Sequence, residues 1–281
     1  MSFFEKFGRS AMELKSLRCI TVTGILIALD IVLKMFSITV TKDLKITFAF
    51  IALAAIGMLF GPTVGFLAGV ITDVIGYLIK PEGGFSPLFT FVEAFGAMLY
   101  GLFLYDVSIK AVSDEGSAEK KKDSVGSTLL KGFIIGVIVG AAMAGIMLLM
   151  SVIMSSYKED AGVAGKIAAV LTNSTMIWVA GVVGVAYGLI FTFIIRMTNS
   201  SGSALRAVIA KVTVVVVCNL LMTPVAMVIS GYMTWESLIA NYPVRIVKNA
   251  VQCPVDCIIL VIMLVPIRAA YRKIMVRRTA G

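Results

Sequence analysis

A row of polar and charged side chains precedes and enters an apolar segment near the C-terminus, "NYPVRIVKNAVQCPVDCIIL". Helical spacing places on one face Arg245, then Lys248 or Asn249, then Gln252 and Asp256. Arginine binds a carboxylate through two hydrogen bonds and lysine acts as a point charge, so this row has the chemistry to bind an anion. In the alternative interpretation, the two cations extend to lipid headgroups and Asp256 pairs with another helix.

A second group with binding chemistry lies in "PEGGFSPLFTFVEAF". Phe85 and Phe89 can stack on a flat heterocycle, and Glu93, one turn beyond Phe89, can accept paired hydrogen bonds from an amino-pyrimidine edge. The phenylalanines are also typical of lipid contact or of an interfacial belt. Lys45 and Thr47 open an earlier apolar segment and can add to a cationic entrance, unless Lys45 is an ordinary interfacial lysine.

Other charged residues within apolar segments suggest structural roles. Asp30 and Lys34 are four residues apart, a spacing that predicts an ion pair on one helix, with a role in a binding site as the alternative. Asp73 and Lys211 are predicted to be structural or to lie near a membrane interface.

The composition identifies the class of protein that must position these residues. The 281 residues are 59% hydrophobic with mean hydropathy +0.99, and several apolar runs reach the length of about 20 residues that crosses a bilayer. Because these runs are continuous rather than alternating, they predict membrane-spanning helices. The formal charge is +9, and no nucleic-acid partner is predicted.

Several chemistries are excluded or disfavoured by residue types. Histidine is absent, which argues against a zinc membrane protease and a haem protein. Cys253 and Cys257 share a helix face, but buried small apolar residues are a better interpretation than a metal pair, and no metal site is predicted. A phosphate-binding loop of the Walker type is also absent, so this chain is not expected to hydrolyse ATP.

Hydropathy predicts eight spans, with most of the 25 lysines and arginines on the side of both termini, which places the termini in the cytoplasm. The predicted spans are 19–40, 46–60, 62–80, 86–105, 131–154, 169–195, 205–230 and 244–266. Arg245 and Lys248 then lie on the outer side, where cations are disfavoured.

Four stretches resemble the S component, the substrate-binding membrane subunit, of energy-coupling factor (ECF) vitamin transporters, and most closely the folate subfamily. They are "LKITFAFIALA", "LFGPTVGFLAGVITDVIGYL", "GLFLY" and "NYPVRIVKNAVQCPVDCIILVIML". The resemblance covers about residues 19–105 and 204–268. It implies a six-helix all-α membrane protein of the prokaryotic plasma membrane that binds one vitamin with high affinity at the extracellular side.

The resemblance also implies partners and a division of labour. An S component docks on a membrane T component and two ATPases, topples in the bilayer and leaves ATP and magnesium to those ATPases. This chain is therefore expected to be a transporter subunit and not an enzyme, with no cofactor of its own. In this family small residues on the first three helices face the T component, which implies contacts by Gly24, Ala28, Gly65 and Gly69; internal helix packing is the alternative.

The sequence departs from the family pattern by two extra spans. We therefore predict S-component helices 1–4 in residues 1–105, an inserted linker and helix pair in 106–203, and helices 5–6 with a basic tail in 204–281. Alternative functions are the same scaffold for pantothenate, riboflavin or another anionic or heteroaromatic compound, and a polytopic membrane enzyme. The absence of histidine and of a G-x-S-x-G motif disfavours the enzyme.

Overall fold

The computed structural model describes residues 3–41, 44–81, 84–113 and 201–279, together with isolated positions at 126, 130, 133 and 134. These residues form a mainly helical protein, as predicted. The elements are α1 (Phe3–Glu13), α2 (Leu17–Met35), β1 (Ile38–Thr41), β2 (Leu44–Ile46), α3 (Phe50–Phe60), α4 (Pro62–Ile79), α5 (Pro87–Ser113), α6 (Ser201–Val214), a π-helical segment (Val215–Met222), α7 (Thr223–Ile229) and α8 (Trp235–Thr279).

The first predicted span, 19–40, is divided between a helix and a strand. α2 begins after Ser16, whose side chain accepts a hydrogen bond from the Cys19 amide, and ends at Met35. The following "ITVT" is rich in β-branched residues and forms β1, which pairs antiparallel with β2. This short hairpin is a local feature that the sequence analysis did not predict.

The hairpin also shortens the second predicted span, 46–60. Ile46 lies in β2, and α3 does not begin until Phe50, so the helix has 11 residues. At 1.5 Å per residue it is about 16 Å long, roughly half the thickness of a bilayer core. Apolar composition alone did not reveal this boundary because β-branched residues suit a strand as well as a buried helix.

α4 and the start of α5 agree with their predicted spans, 62–80 and 86–105, to within one residue. α5 continues beyond residue 105 to Ser113. The chain turns from α3 into α4 at Gly61, whose φ of +91° suits glycine, and Pro62 occupies the start of α4. The backbones of α3, α4 and α5 approach one another closely. A Cβ built on Gly57 would lie 2.5 Å from the Gly101 nitrogen, and one on Gly65 would lie 2.7 Å from the Ala97 carbonyl oxygen.

The short helix α1 is tied to the α3–α4 turn by side-chain hydrogen bonds. Ser10 Oγ donates to the Phe60 carbonyl at 2.7 Å and accepts from the amides of Thr63 and Val64. These amides belong to the first turn of α4 and have no acceptor within that helix. α1 and α2 together meet the length and composition of one span, but they are bent by 93° at the break between them.

The seventh predicted span, 205–230, is not one regular α-helix. α6 passes into the π-helical segment, and Thr223 Oγ1 donates to the Cys218 carbonyl five residues earlier. α7 ends in a Schellman motif, in which Gly231 has φ +74° and the Tyr232 amide donates to the Met227 carbonyl. The eighth predicted span, 244–266, lies within the single long helix α8, whose apolar part is Gln252–Leu264.

The chain divides into two compact units. Unit 1 comprises Met1–Lys121, Gly202–Ala226 and Asp256–Gly281, and unit 2 comprises Lys122–Ser201 and Met227–Val255. Within the described residues, three helices are long and apolar enough to span a membrane, or four if the bent α1–α2 pair is one span. The predicted helices 131–154 and 169–195 fall almost wholly outside the described residues, so the count of eight spans and the orientation stay predictions.

Candidate functional site

A charged cluster in unit 1 joins the ends of two helices. Lys34 Nζ, in the last turn of α2, lies 2.9 Å from Asp30 Oδ2 and 3.0 Å from Glu93 Oε1 on α5. The predicted Asp30–Lys34 ion pair is therefore confirmed. Asp30 is fully buried, whereas the side chains of Lys34 and Glu93 are 25% and 34% exposed. The exposed side of this cluster is thus the Lys34–Glu93 pair.

A polar pair and an aromatic pair join α4 to α5 and to the segment before it. Thr90 Oγ1, one turn before Glu93, donates to Asp73 Oδ2 at 2.6 Å. One turn beyond Asp73 on α4, the ring of Tyr77 lies 5.3 Å from the ring of Phe85, at an interplanar angle of 54°. Carboxylates, one cation and two aromatic rings therefore occur at the C-terminal ends of α2 and α4 and the N-terminal end of α5.

The other residues predicted to bind near this end have varied surroundings. Phe85 is exposed and Phe89 is half-buried. Thr47 Oγ1 accepts a hydrogen bond from the Ala49 amide in the turn just before α3. Lys45 lies in β2.

Sequence reasoning missed three contacts at this end: the second partner of Lys34, the Asp73–Thr90 hydrogen bond and the Tyr77–Phe85 ring pair. A partial signal was present, since Asp73 and Tyr77 are four residues apart and share a face of α4. Their partners on α5 come from the packing of α4 against α5, which no spacing within one helix indicates.

The predicted anion-binding row lies on α8, and its first four residues belong to unit 2. Arg245 is 4% exposed, and its Nη2 approaches the thioether sulfur of Met227 at 2.7 Å. Asn249 is also buried, and its side-chain amide donates to the Arg245 carbonyl at 2.8 Å. Lys248 and Gln252 are half-buried. A buried arginine is more enclosed than the headgroup anchor that the alternative interpretation requires.

Asp256, the last residue of the row, has a structural contact in unit 1. Its Oδ2 lies 2.9 Å from Lys211 Nζ on α6, and both side chains are nearly fully buried. The Lys211 ammonium also lies 3.3 Å from the centre of the Phe50 ring on α3. This ion pair agrees with the alternative interpretation of Asp256, which paired it with another helix, and with the structural one of the two roles predicted for Lys211.

The glycines predicted to face a T component fall into two groups. Gly24 and Ala28 are exposed on α2, and nothing lies within 4 Å of a Cβ built on Gly24. Gly65 and Gly69 are buried, and their built Cβ atoms lie 2.7 Å from the Ala97 carbonyl oxygen and 2.6 Å from the Ala94 Cα. Gly65 and Gly69 therefore have the alternative role given in the sequence analysis, internal packing of α4 against α5.

The part of the chain that the structure describes contains no set of side chains placed to bind a metal ion. No group of three or more histidine, cysteine, aspartate or glutamate residues there is arranged to hold a metal ion. Cys253 and Cys257 are buried, as expected for small apolar residues.

Comparison with known families assigns the class of this protein. A family model described as "ECF transporter, substrate-specific component" matches residues 18–167, which is more than half of the chain. The chain belongs to this family. This S component is accordingly a multi-pass membrane protein. The family model extends beyond residue 105, the end of the first region of the predicted resemblance. It does not include the second region, 204–268.

Curated relatives cover parts of this S component. The folate transporter FolT of Clostridium novyi is 37% identical over 101 residues, which are 35% of this chain and 59% of that protein. The folate transporter FolT of Leuconostoc mesenteroides is 35% identical over 79 residues, or 28% of this chain and 42% of that protein. The S component thus spans three fifths or less of these two relatives.

A solved structure, described as the crystal structure of FolT bound with folic acid, also matches this S component. It covers 89% of this chain and 95% of that chain, with 19% identity and a TM-score of 0.49. A likeness at this level supports no statement about individual residues.

Proposed function

We propose that this S component binds a folate-like vitamin at the extracellular side of the membrane and delivers it to an ATP-driven importer. The observation that supports this most is the Glu93 carboxylate of α5, which is one-third exposed and pairs with Lys34 of α2, together with the Tyr77–Phe85 ring pair that joins α4 to the segment before α5. The names of the two curated relatives favour folate over other vitamins.

The chemistry of the unit 1 cluster suits a pterin ring. A pterin presents an amino-pyrimidine edge with adjacent N–H donors, and an ionised carboxylate such as Glu93 accepts such a pair. The ring is flat, and aromatic side chains such as Phe85, Phe89 and Tyr77 stack on flat rings. We propose these contacts for the heterocycle, with Lys45 and Thr47 contributing to the entrance.

The residues of unit 2 are proposed separately, for a carboxylate. Folates carry one or more carboxylates on a glutamate tail. Arg245 offers two parallel donors, Lys248 offers a point charge, and Asn249 and Gln252 offer side-chain amides.

The proposed partners are a T component and two ATPases, which supply the ATP hydrolysis that this chain is not equipped for. For the T-component contact we retain Gly24 and Ala28, which are exposed on α2. Small residues on an exposed face allow a second helix to approach closely.

The proposed substrate is tested by purifying the full chain without added ligand and identifying the bound compound by mass spectrometry. Folate in the purified protein, or tight binding of added folic acid, is the expected result. Pantothenate or riboflavin in its place would keep the transporter class and reject the folate assignment.

Replacing Glu93 with glutamine is expected to weaken folic acid binding by about 1.5–3 kcal/mol, the range for hydrogen bonds to a charged group. The neutral amide presents one acceptor and one donor group in place of two acceptors, so it cannot match two adjacent N–H donors. Isothermal titration with the detergent-purified protein measures this change. Glu5→Gln is the matched control, because Glu5 is an exposed residue of α1 paired with Arg9. Equal losses in the two variants would contradict a ligand contact by Glu93.

Replacing Arg245 with methionine is expected to weaken folic acid binding by about 1.5–3 kcal/mol. The same variant should leave the affinity for pteroic acid, which lacks the glutamate tail, nearly unchanged. The matched control is Arg9→Met, which removes an exposed arginine on α1. If Arg245→Met weakens both ligands equally, or neither, Arg245 does not bind the tail carboxylates.

A further inference from the structure

Lys34 lies where three helices of unit 1 meet. It belongs to the last turn of α2, pairs with Glu93 of α5, and its Cδ lies 3.9 Å from a Cβ built on Gly76 of α4. The ammonium is also favoured by its position, because the C-terminal end of a helix carries partial negative charge. Both the aliphatic part of the Lys34 side chain and its ammonium group are therefore restrained.

Asp30 supplies a further restraint on Lys34. It is fully buried, and its Oδ2 pairs with Lys34 Nζ at 2.9 Å. Its other oxygen makes no hydrogen bond to any residue within the described ranges. A buried carboxylate is costly unless a cation compensates it, so Asp30 holds the ammonium in place. An aspartate four residues before a lysine is also the favourable order on a helix.

We infer that Lys34, held by Asp30, is a positioning residue that orients the Glu93 carboxylate towards the ligand. This inference rests on the proposed function, in which Glu93 binds the heterocycle. The role lies beyond that proposal, because Lys34 needs no contact with the ligand. It acts by occupying one side of Glu93 Oε1 at 3.0 Å.

The geometry leaves Glu93 the capacity that the ligand requires. An ionised carboxylate accepts about four hydrogen bonds, and Lys34 uses one of them. The remaining lone pairs of Oε1 and Oε2 can accept two adjacent N–H groups. Because the ammonium restrains rotation of the carboxylate, little side-chain entropy is lost when such a ligand binds.

This role predicts a change in discrimination between ligands, which loss of general stability does not produce. The probes are folic acid and an analogue that lacks the exocyclic amino group of the pteridine. The wild-type chain should prefer folic acid by at least about tenfold, the effect of one charge-assisted hydrogen bond. In Lys34→Met this preference should fall to about twofold, while Lys34→Arg, which retains the cation, should keep most of it.

Further variants test whether Lys34 affects ligand binding through Glu93. Asp30→Asn should reduce the preference in the same direction as Lys34→Met. The double variant Lys34→Met/Glu93→Gln should discriminate no worse than Glu93→Gln alone, because the lysine acts through the glutamate. Arg9→Met, at an exposed pair with the same helical spacing, should change nothing. Thermal unfolding of each variant shows whether it is folded.

The outcomes separate this inference from the proposed function. If the wild-type chain binds neither probe, the folate proposal is wrong and this inference is wrong with it. If the wild type prefers folic acid and Lys34→Met weakens both probes by the same factor, Lys34 is structural and only this inference is rejected. A measured loss in the double variant equal to the sum of the two single losses would reject it too.

Discussion

Replacing Lys211 with methionine is expected to lower the free energy of unfolding by about 3–5 kcal/mol, the usual cost of breaking a buried ion pair. The methionine leaves the buried Asp256 carboxylate without the ammonium that lies 2.9 Å away in the wild type. It also removes the cation from the face of the Phe50 ring, 3.3 Å from its centre. The loss should appear as a lower midpoint of thermal or SDS-induced unfolding in detergent.

A second substitution distinguishes loss of the pair from loss of packing. In Lys211→Met/Asp256→Leu no charge is left buried, so most of the lost stability should return. Arg9→Met, which breaks an exposed pair, should cost less than about 1 kcal/mol. If the double variant is as unstable as Lys211→Met, the burial of an unpaired charge is not the cause.

Replacing Gly57 with alanine is expected to destabilise the protein by about 2 kcal/mol, since overpacking a tight contact costs up to about 3 kcal/mol and the better helix propensity of alanine returns about 1 kcal/mol. The added methyl group would lie 2.5 Å from the Gly101 nitrogen and 2.9 Å from its Cα. Both atoms are backbone, so α3 and α5 must separate before the methyl group fits.

Gly24→Ala is the matched control for this substitution. Nothing lies within 4 Å of a Cβ at Gly24, so only the gain in helix propensity remains. The two variants should therefore shift the unfolding midpoint in opposite directions. A destabilised Gly24→Ala, or an unchanged Gly57→Ala, would show that the α3–α5 contact is looser than its distances indicate.

Local spacing predicted one half of the charged cluster. Asp30 and Lys34 are four residues apart, and residues at that spacing meet on any helix, so their ion pair followed from the sequence. Glu93 was predicted only as an acceptor of hydrogen bonds from a ligand. Its contact with Lys34 joins residues far apart in the chain, and no periodicity within one helix predicts which helices become neighbours.

The same limit explains the small-residue stripes. The spacing of Gly65 and Gly69 correctly predicts a close approach by another helix. It does not state whether that helix belongs to the same chain or to a partner, and in the structure it is α5. Gly24 and Ala28 have similar spacing, yet they are exposed on α2.

Composition and periodicity by themselves indicated a helical multi-pass membrane protein, because hydropathy and residue type are properties of the chain. They also placed the break between the second and third predicted spans at residue 61, where the positive φ of Gly61 reflects a local backbone preference. Only the tertiary structure decided that Lys34 joins Asp30 to Glu93 and that Lys211 pairs with Asp256. These features depend on contacts between segments distant in sequence, and their free energies exist only when those segments pack together.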